Sequence, residues 1–126
     1  MKVYFHHDAE RLIKAAARDF VNIKFSKSGG ILEAIKINNV CKQNDIPCMI
    51  GGMPESRIAL TAFAHFAMAH ENIIFHDIDT CMVGHKIDPV KNGIVFNGFT
   101  RNVSDSPGIG ADADDEFINQ LEKIVI

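Results

Sequence analysis

Phe20-Val21-Asn22-Ile23-Lys24 is an apolar run with a cation at its end. Two later segments repeat the idea. Ile46-Pro47-Cys48-Met49-Ile50 runs into Gly51-Gly52, and Ile73-Ile74-Phe75-His76 runs into Asp77-Ile78-Asp79. The starts are ~26 residues apart, close to the length of one strand-plus-helix unit. Such units build a parallel sheet, and α/β proteins place their sites where the strands end. A lysine and two aspartates then share one rim.

The segments between the runs read as helices. Ile31, Ala34, Ile35, Asn38 and Cys41 follow helical period over 31–42, after the break at Gly29-Gly30. Asn44-Asp45 is a turn signal before the second run. Residues 55–69 form a longer helix, apolar nearly all round through Ile58, Ala59, Ala62, Phe63, Phe66 and Ala67, which predicts deep burial. Upstream, Ala9, Leu12, Ile13, Ala16 and Ala17 make an apolar stripe, predicting a helix over 8–18 with Asp8 as its cap. Beyond Thr80 the chain turns to Gly84, Pro89, Asn92-Gly93, Asn97-Gly98 and Pro107-Gly108-Ile109-Gly110. Ile94-Val95-Phe96 and Phe99-Thr100-Arg101 predict a hairpin across Asn97-Gly98, and 114–124 a last amphipathic helix.

Bulk properties narrow the function. A chain of 126 residues, 47% hydrophobic and 23% charged, can build one small domain with a real core. A net charge of -3 offers no footprint for nucleic acid. No apolar stretch is long enough to cross a bilayer, and the first residues lack the pattern of a signal peptide. Cys41, Cys48 and Cys81 are odd in number and form no CxxC pair, which points to reduced, buried thiols in a cytoplasmic protein.

Lys24 is the most informative single residue. A lysine that ends an apolar strand is often only a solvated side chain, but a partly desolvated one near other cations acts as a base. Lys27 reads as surface. Asp77 and Asp79 share a side if the segment stays extended. As a turn pair they are ordinary; as a site pair they hold a metal or a substrate ammonium. Gly51-Gly52 lets a ligand approach the backbone, and a tight turn explains it equally well. Glu55 suits the start of the following helix through its dipole. Gly29-Gly30 matches neither GxGxxG nor a P-loop, so nucleotide binding is not expected. His6, His7, His65, His70, His76 and His85 are scattered without zinc-ligand spacing and read as core or surface residues.

Taken together, these segments resemble one family. Asp19-Phe20-Val21-Asn22-Ile23-Lys24-Phe25-Ser26-Lys27-Ser28-Gly29-Gly30-Ile31 is similar to the sixth-strand signature of the enolase superfamily, in its muconate lactonizing subgroup. Cys48-Met49-Ile50-Gly51-Gly52-Met53-Pro54-Glu55-Ser56 resembles the seventh-strand segment, and Ala64-His65-Phe66-Ala67 the helix after it. Asp77-Ile78-Asp79 resembles the eighth-strand Asp-x-Asp of the dipeptide epimerases. Ser106-Pro107-Gly108-Ile109-Gly110 resembles a turn near the family's C-terminus. Muconate lactonizing enzymes, o-succinylbenzoate synthases and N-acylamino acid racemases share the Lys24-type signature, and only the aspartate pair favours a dipeptide.

The resemblance implies α-proton chemistry. In the family, two lysines face each other across a Mg²⁺-bound carboxylate. One removes the α-proton, the metal stabilises the enediolate, and the other returns a proton. By position Lys24 is one of these lysines. By the same resemblance, Asp77 and Asp79 correspond to the pair that holds the dipeptide's ammonium, and Gly52 with the backbone near Pro54 to the segment lining the substrate site. The second lysine and the acidic Mg²⁺ ligands have no counterpart here. The expectation is therefore an α/β partial (β/α) barrel, one fragment over 1–126. It comprises the helix 8–18, βα units over 20–80, and a C-terminal hairpin and helix over 81–126. Such a fragment is expected to bind no Mg²⁺ tightly and to be inactive alone. Its open sheet edges imply self-association or a separate N-terminal portion.

Overall fold

The computed structural model describes residues 3–79, 86–122 and 124. Cys81, Gly84 and His85, each assigned a role above, lie outside them. The chain forms two compact units: Met1–Met53 with Phe66–Ile78, and Pro54–His65 with Asp79–Ile126.

In the first unit, α1 (His6–Lys14), β1 (Val21–Ile23), α2 (Ile31–Lys42) and β2 (Cys48–Gly51) precede α3 (Arg57–Ala69) and β3 (Ile73–Asp77). Helix α3 begins in the second unit and ends in the first. The strands form a parallel sheet in the order β1-β2-β3, as the three apolar runs predict. Val21 pairs with Cys48 and Ile23 with Ile50. Cys48 pairs with Ile73 but Met49 with Phe75, so the register slips and Ile74 is left over.

Burial alternates along β1: Val21 and Ile23 are buried and Asn22 is exposed. The buried set of this unit also holds Ala9, Leu12, Phe25, Ala34, Ile37, Cys41, Cys48, Ile50, Phe66 and Ile73. Phe25 meets Phe66 edge-on with ring centroids 5.2 Å apart. Phe20 and Phe75, each 49% exposed, also meet edge-on at 5.2 Å. They leave apolar surface showing on the sheet.

Helix α2 occupies the predicted span, but its buried stripe is Ala34, Ile37, Asn38 and Cys41; Ile31, in the exposed first turn, lies outside it. Gly29 and Gly30 have φ of 73° and 94°, the left-handed region that side chains avoid. That makes the pair a start signal for α2 rather than a flexible joint.

Helix α1 starts two residues before the expected 8–18 span and ends four residues short of its end. Asp8 is not the cap residue. It stands inside the first turn and its Oδ2 accepts from the N–H groups of Tyr4 and Phe5 at 3.1 and 3.2 Å. At the other end Ala16 turns left-handed, and Ala17 N–H bonds back to Leu12 O at 3.2 Å, a closure that stops the helix. Glu33 of α2 ties α1 down, accepting from His6 N at 2.8 Å and lying 2.5 Å from His6 Nδ1.

The second unit holds the first part of α3, then β4 (Val90–Asn92), β5 (Val95–Asn97), β6 (Thr100–Asn102), β7 (Ala111–Ala113) and α4 (Asp115–Asn119). The predicted hairpin is β5–β6, but Asn97 pairs with Thr100, so its turn is Gly98-Phe99. Gly98, with φ of 57°, occupies the first turn position. Strand β4 pairs antiparallel with β7, a pairing between distant segments. The last helix is shorter than 114–124. Asp114 caps it by accepting from Glu116 N at 2.9 Å, and it buries no residue, so nothing extends it.

Thr61 and Arg57 organise this unit from α3. Thr61 Oγ1 accepts from the buried Ile94 N–H at 2.8 Å and donates to Arg57 O at 2.6 Å. The Arg57 guanidinium donates to Val90 O at 2.6 Å and pairs with Asp88. His65 and Phe63 also lie on this stretch. His65 Nε2 sits 3.1 Å from Ile109 O. Phe63 is fully buried, but Ile58, Ala59, Ala62 and Ala67 are half-buried and Met68 is exposed, so the helix is buried along one stripe and not all round as its composition predicts.

Candidate functional site

The C-terminal ends of the three parallel strands bring Lys24, Gly51, Gly52 and Asp77 together. Ile23 pairs with Ile50. One residue further along each strand stand Lys24 and Gly51, and Gly51 pairs with Asp77. Lys24, Gly51 and Asp77 therefore belong to one row across the sheet. Gly51 and Gly52 are buried, while Lys24 and Asp77 are half-buried.

The Lys24 side chain does not trail into solvent. Its Nζ donates to the main-chain carbonyl of Gly52. This joins the end of β1 to the residue after β2 and gives the ammonium a fixed address. The turn behind it is also closed: the N–H groups of Lys27 and Ser28 bond to Lys24 O at 2.9 and 2.8 Å. Lys27, read from sequence as surface, is half-buried in that turn.

Asp77 closes β3, Ile78 is buried, and Asp79 is exposed. Asp77 lies in the first unit with Lys24 and Gly52; Asp79 and the exposed Pro54 lie in the second. His76 points its Nε2 to within 3.2 Å of Ile73 O, a local contact on its own strand.

Sequence reasoning missed Asn22. Its carboxamide lies across Gly51: a Cβ built there would stand 2.9 Å from Nδ2 and 3.0 Å from Cγ, and nearer still to Oδ1. The available signal was a polar residue inside an apolar strand, two places before the lysine.

A divalent cation needs converging donors. Among the described residues no three His, Cys, Asp or Glu side chains gather to form such a site. Elsewhere in this unit Cys41 and Cys48 are buried free thiols. They are hydrogen-bonded to each other, which pushes the Cys48 thiol up and lowers that of Cys41. Asn72 Nδ2 adds a contact to Cys48 Sγ at 3.5 Å. Among the described residues no helix is long and apolar enough to cross a membrane.

Comparison with known proteins gives one consistent answer. A family described as "Enolase C-terminal domain-like" matches residues 1–117. A D-Ala-D/L-Ala epimerase of Cytophaga hutchinsonii is 40% identical over 122 residues, covering 94% of this chain and 32% of the relative. An L-Ala-D/L-Glu epimerase of Bacillus subtilis is 35% identical over 108 residues, covering 86% of this chain and 29% of the relative. A crystal structure of the dipeptide epimerase from Cytophaga hutchinsonii, complexed with Mg and D-Ala-L-Val, superposes with a TM-score of 0.90 at 38% identity. It covers 97% of this chain and 33% of that one. The chain thus spans about a third of the length of the relatives it matches.

Proposed function

The chain belongs to the enolase C-terminal domain-like family, and from that premise we propose that it supplies the last three βα units of a dipeptide epimerase-type barrel. Lys24 is the acid/base group on one face of the substrate's α-carbon. As a neutral amine it takes the α-proton; as an ammonium it gives one back. The observation that carries this reading is the bond from Lys24 Nζ to Gly52 O at the end of a parallel sheet, on the row of Gly51 and Asp77. A lysine held there is aimed, which proton transfer requires.

Asp77 attracts the dipeptide's ammonium. Asp79 joins it on the strength of the Asp-x-Asp resemblance, and Gly52 and Pro54 line the substrate site on that of the seventh-strand segment. The family's Mg²⁺ does not fit the described residues, which offer no cluster of donors. Turnover accordingly needs a metal site and an opposing lysine from a further portion of barrel, and this chain is inactive by itself.

The test is deuterium exchange. The chain is incubated in D₂O with Mg²⁺ and L-Ala-L-Glu, alone and with the separately produced upstream two thirds of the Cytophaga hutchinsonii relative. Deuterium should enter the glutamate α-carbon only in the mixture, and Lys24→Ala should abolish it. Exchange by the chain alone refutes the need for a partner portion. Exchange that survives Lys24→Ala refutes the role of Lys24.

Exposed Phe20 and Phe75 favour a second reading, a non-catalytic module that self-associates through its sheet. Light scattering separates the two: a stable monomer at high concentration excludes the module.

A further inference from the structure

Asparagine is disfavoured in strands, and Asn22 interrupts an otherwise apolar one. Its surroundings explain it. Alternate residues of a strand share a face, so Asn22 lies on the side of Lys24, two places on. In register it stands opposite Met49, two residues before Gly51. Its carboxamide leans toward the strand ends and covers Gly51, taking the space that any other residue would fill with its own Cβ. Gly51 is bonded directly to Gly52, whose carbonyl receives the Lys24 ammonium. Two side chains of β1 and its end thus lie against one Gly-Gly dipeptide, Asn22 over its first residue and Lys24 on the carbonyl of its second. Asn22 is exposed, so its choice is not dictated by the need to fill a core.

We propose that Asn22 is a positioning residue for Lys24. The carboxamide laid across Gly51 holds the Gly51-Gly52 peptide in the orientation that presents the Gly52 carbonyl to Lys24 Nζ. It thereby sets where the amine points. Its importance for catalysis rests on the reading of Lys24 as the acid/base group, while the positioning itself can be measured without turnover.

The measurement is the carbonyl ¹³C resonance of Gly52 in the labelled chain, which senses the hydrogen bond it accepts. Lys24→Met removes the donor and defines the full displacement. Asn22→Ala should move the resonance the same way by at least about half as much, and Asn22→Ala with Lys24→Met should add little to Lys24→Met alone. Gly51→Ala, which evicts the amide while leaving Asn22 in the sequence, should reproduce the shift. Circular dichroism on each variant confirms the fold, and Gly51→Ala serves should Asn22→Ala unfold. A Gly52 resonance at its original position in the folded variants overturns the proposal, even if their melting temperatures fall. Movement of the resonance without deuterium exchange in the complemented protein would leave the positioning intact and sink only the catalytic reading.

Discussion

The ammonium of Lys24 donates to the main-chain carbonyl of Gly52, tying the end of one parallel strand to the residue that follows its neighbour. A charged donor on a buried carbonyl is worth more than a neutral pair. The same bond gives a flexible side chain a single direction, which is what links it to chemistry.

Replacing Lys24 separates the two roles. Lys24→Met leaves the Gly52 carbonyl without this donor and should lower stability by about 1–3 kcal/mol, read from urea unfolding. Lys24→Arg keeps a charge but cannot act as a base, since guanidinium stays protonated. In the complemented protein it should cut exchange by about 10²–10⁴-fold with a smaller loss of stability.

Neutralising the aspartates should act on binding. Asp77→Asn and Asp79→Asn each remove a charge facing the proposed dipeptide ammonium. KM for L-Ala-L-Glu should rise by roughly 10-fold or more in the complemented protein, with a smaller fall in kcat. A substrate lacking the free amine should show no such penalty. Equal losses on both substrates would argue against an ammonium clamp.

Acid should loosen α1. The backbone N–H of His6, then its side chain, hold the Glu33 carboxyl well below its ordinary value, at about 2. A carboxyl with a lowered folded-state pKa stabilises the fold above its ordinary pKa of about 4.5, and that contribution fades as pH falls toward about 2. The urea midpoint should therefore drop across this window. Glu33→Gln should lower it at neutral pH and flatten the acid dependence, with exchange protection lost first in α1.

Thr61 offers a test in the second unit. Thr61→Val keeps the shape but removes the acceptor of the buried Ile94 N–H, and should cost about 1–3 kcal/mol. Thr61→Ser keeps the oxygen and should cost clearly less. Amide exchange at Ile94 should accelerate in the valine variant alone.

Local grammar made much of the fold legible. The bounds of α2 were readable, because left-handed Gly29-Gly30 opens it and the turn at Asn44-Asp45 follows it, though its buried stripe includes Ile37 in place of Ile31. The ends of α1 were not. Asp8 reads as a cap but reaches back to two N–H groups from inside the first turn, and an alanine takes the left-handed place that usually announces itself as glycine. The β5–β6 turn was misread by one residue because Asn97-Gly98 and Gly98-Phe99 both contain the needed glycine. The pairing of β4 with β7 joins segments some twenty residues apart and left no periodic trace.

The candidate site divides in the same way. Sequence alone placed Lys24, Gly51-Gly52 and Asp77 at the ends of parallel strands, because apolar runs, turn residues and spacing are local properties that each strand carries independently. Only the tertiary structure chose the acceptor of Lys24 and laid Asn22 over Gly51. Both depend on the register between neighbouring strands, and a shift of one residue would send each side chain to the other face.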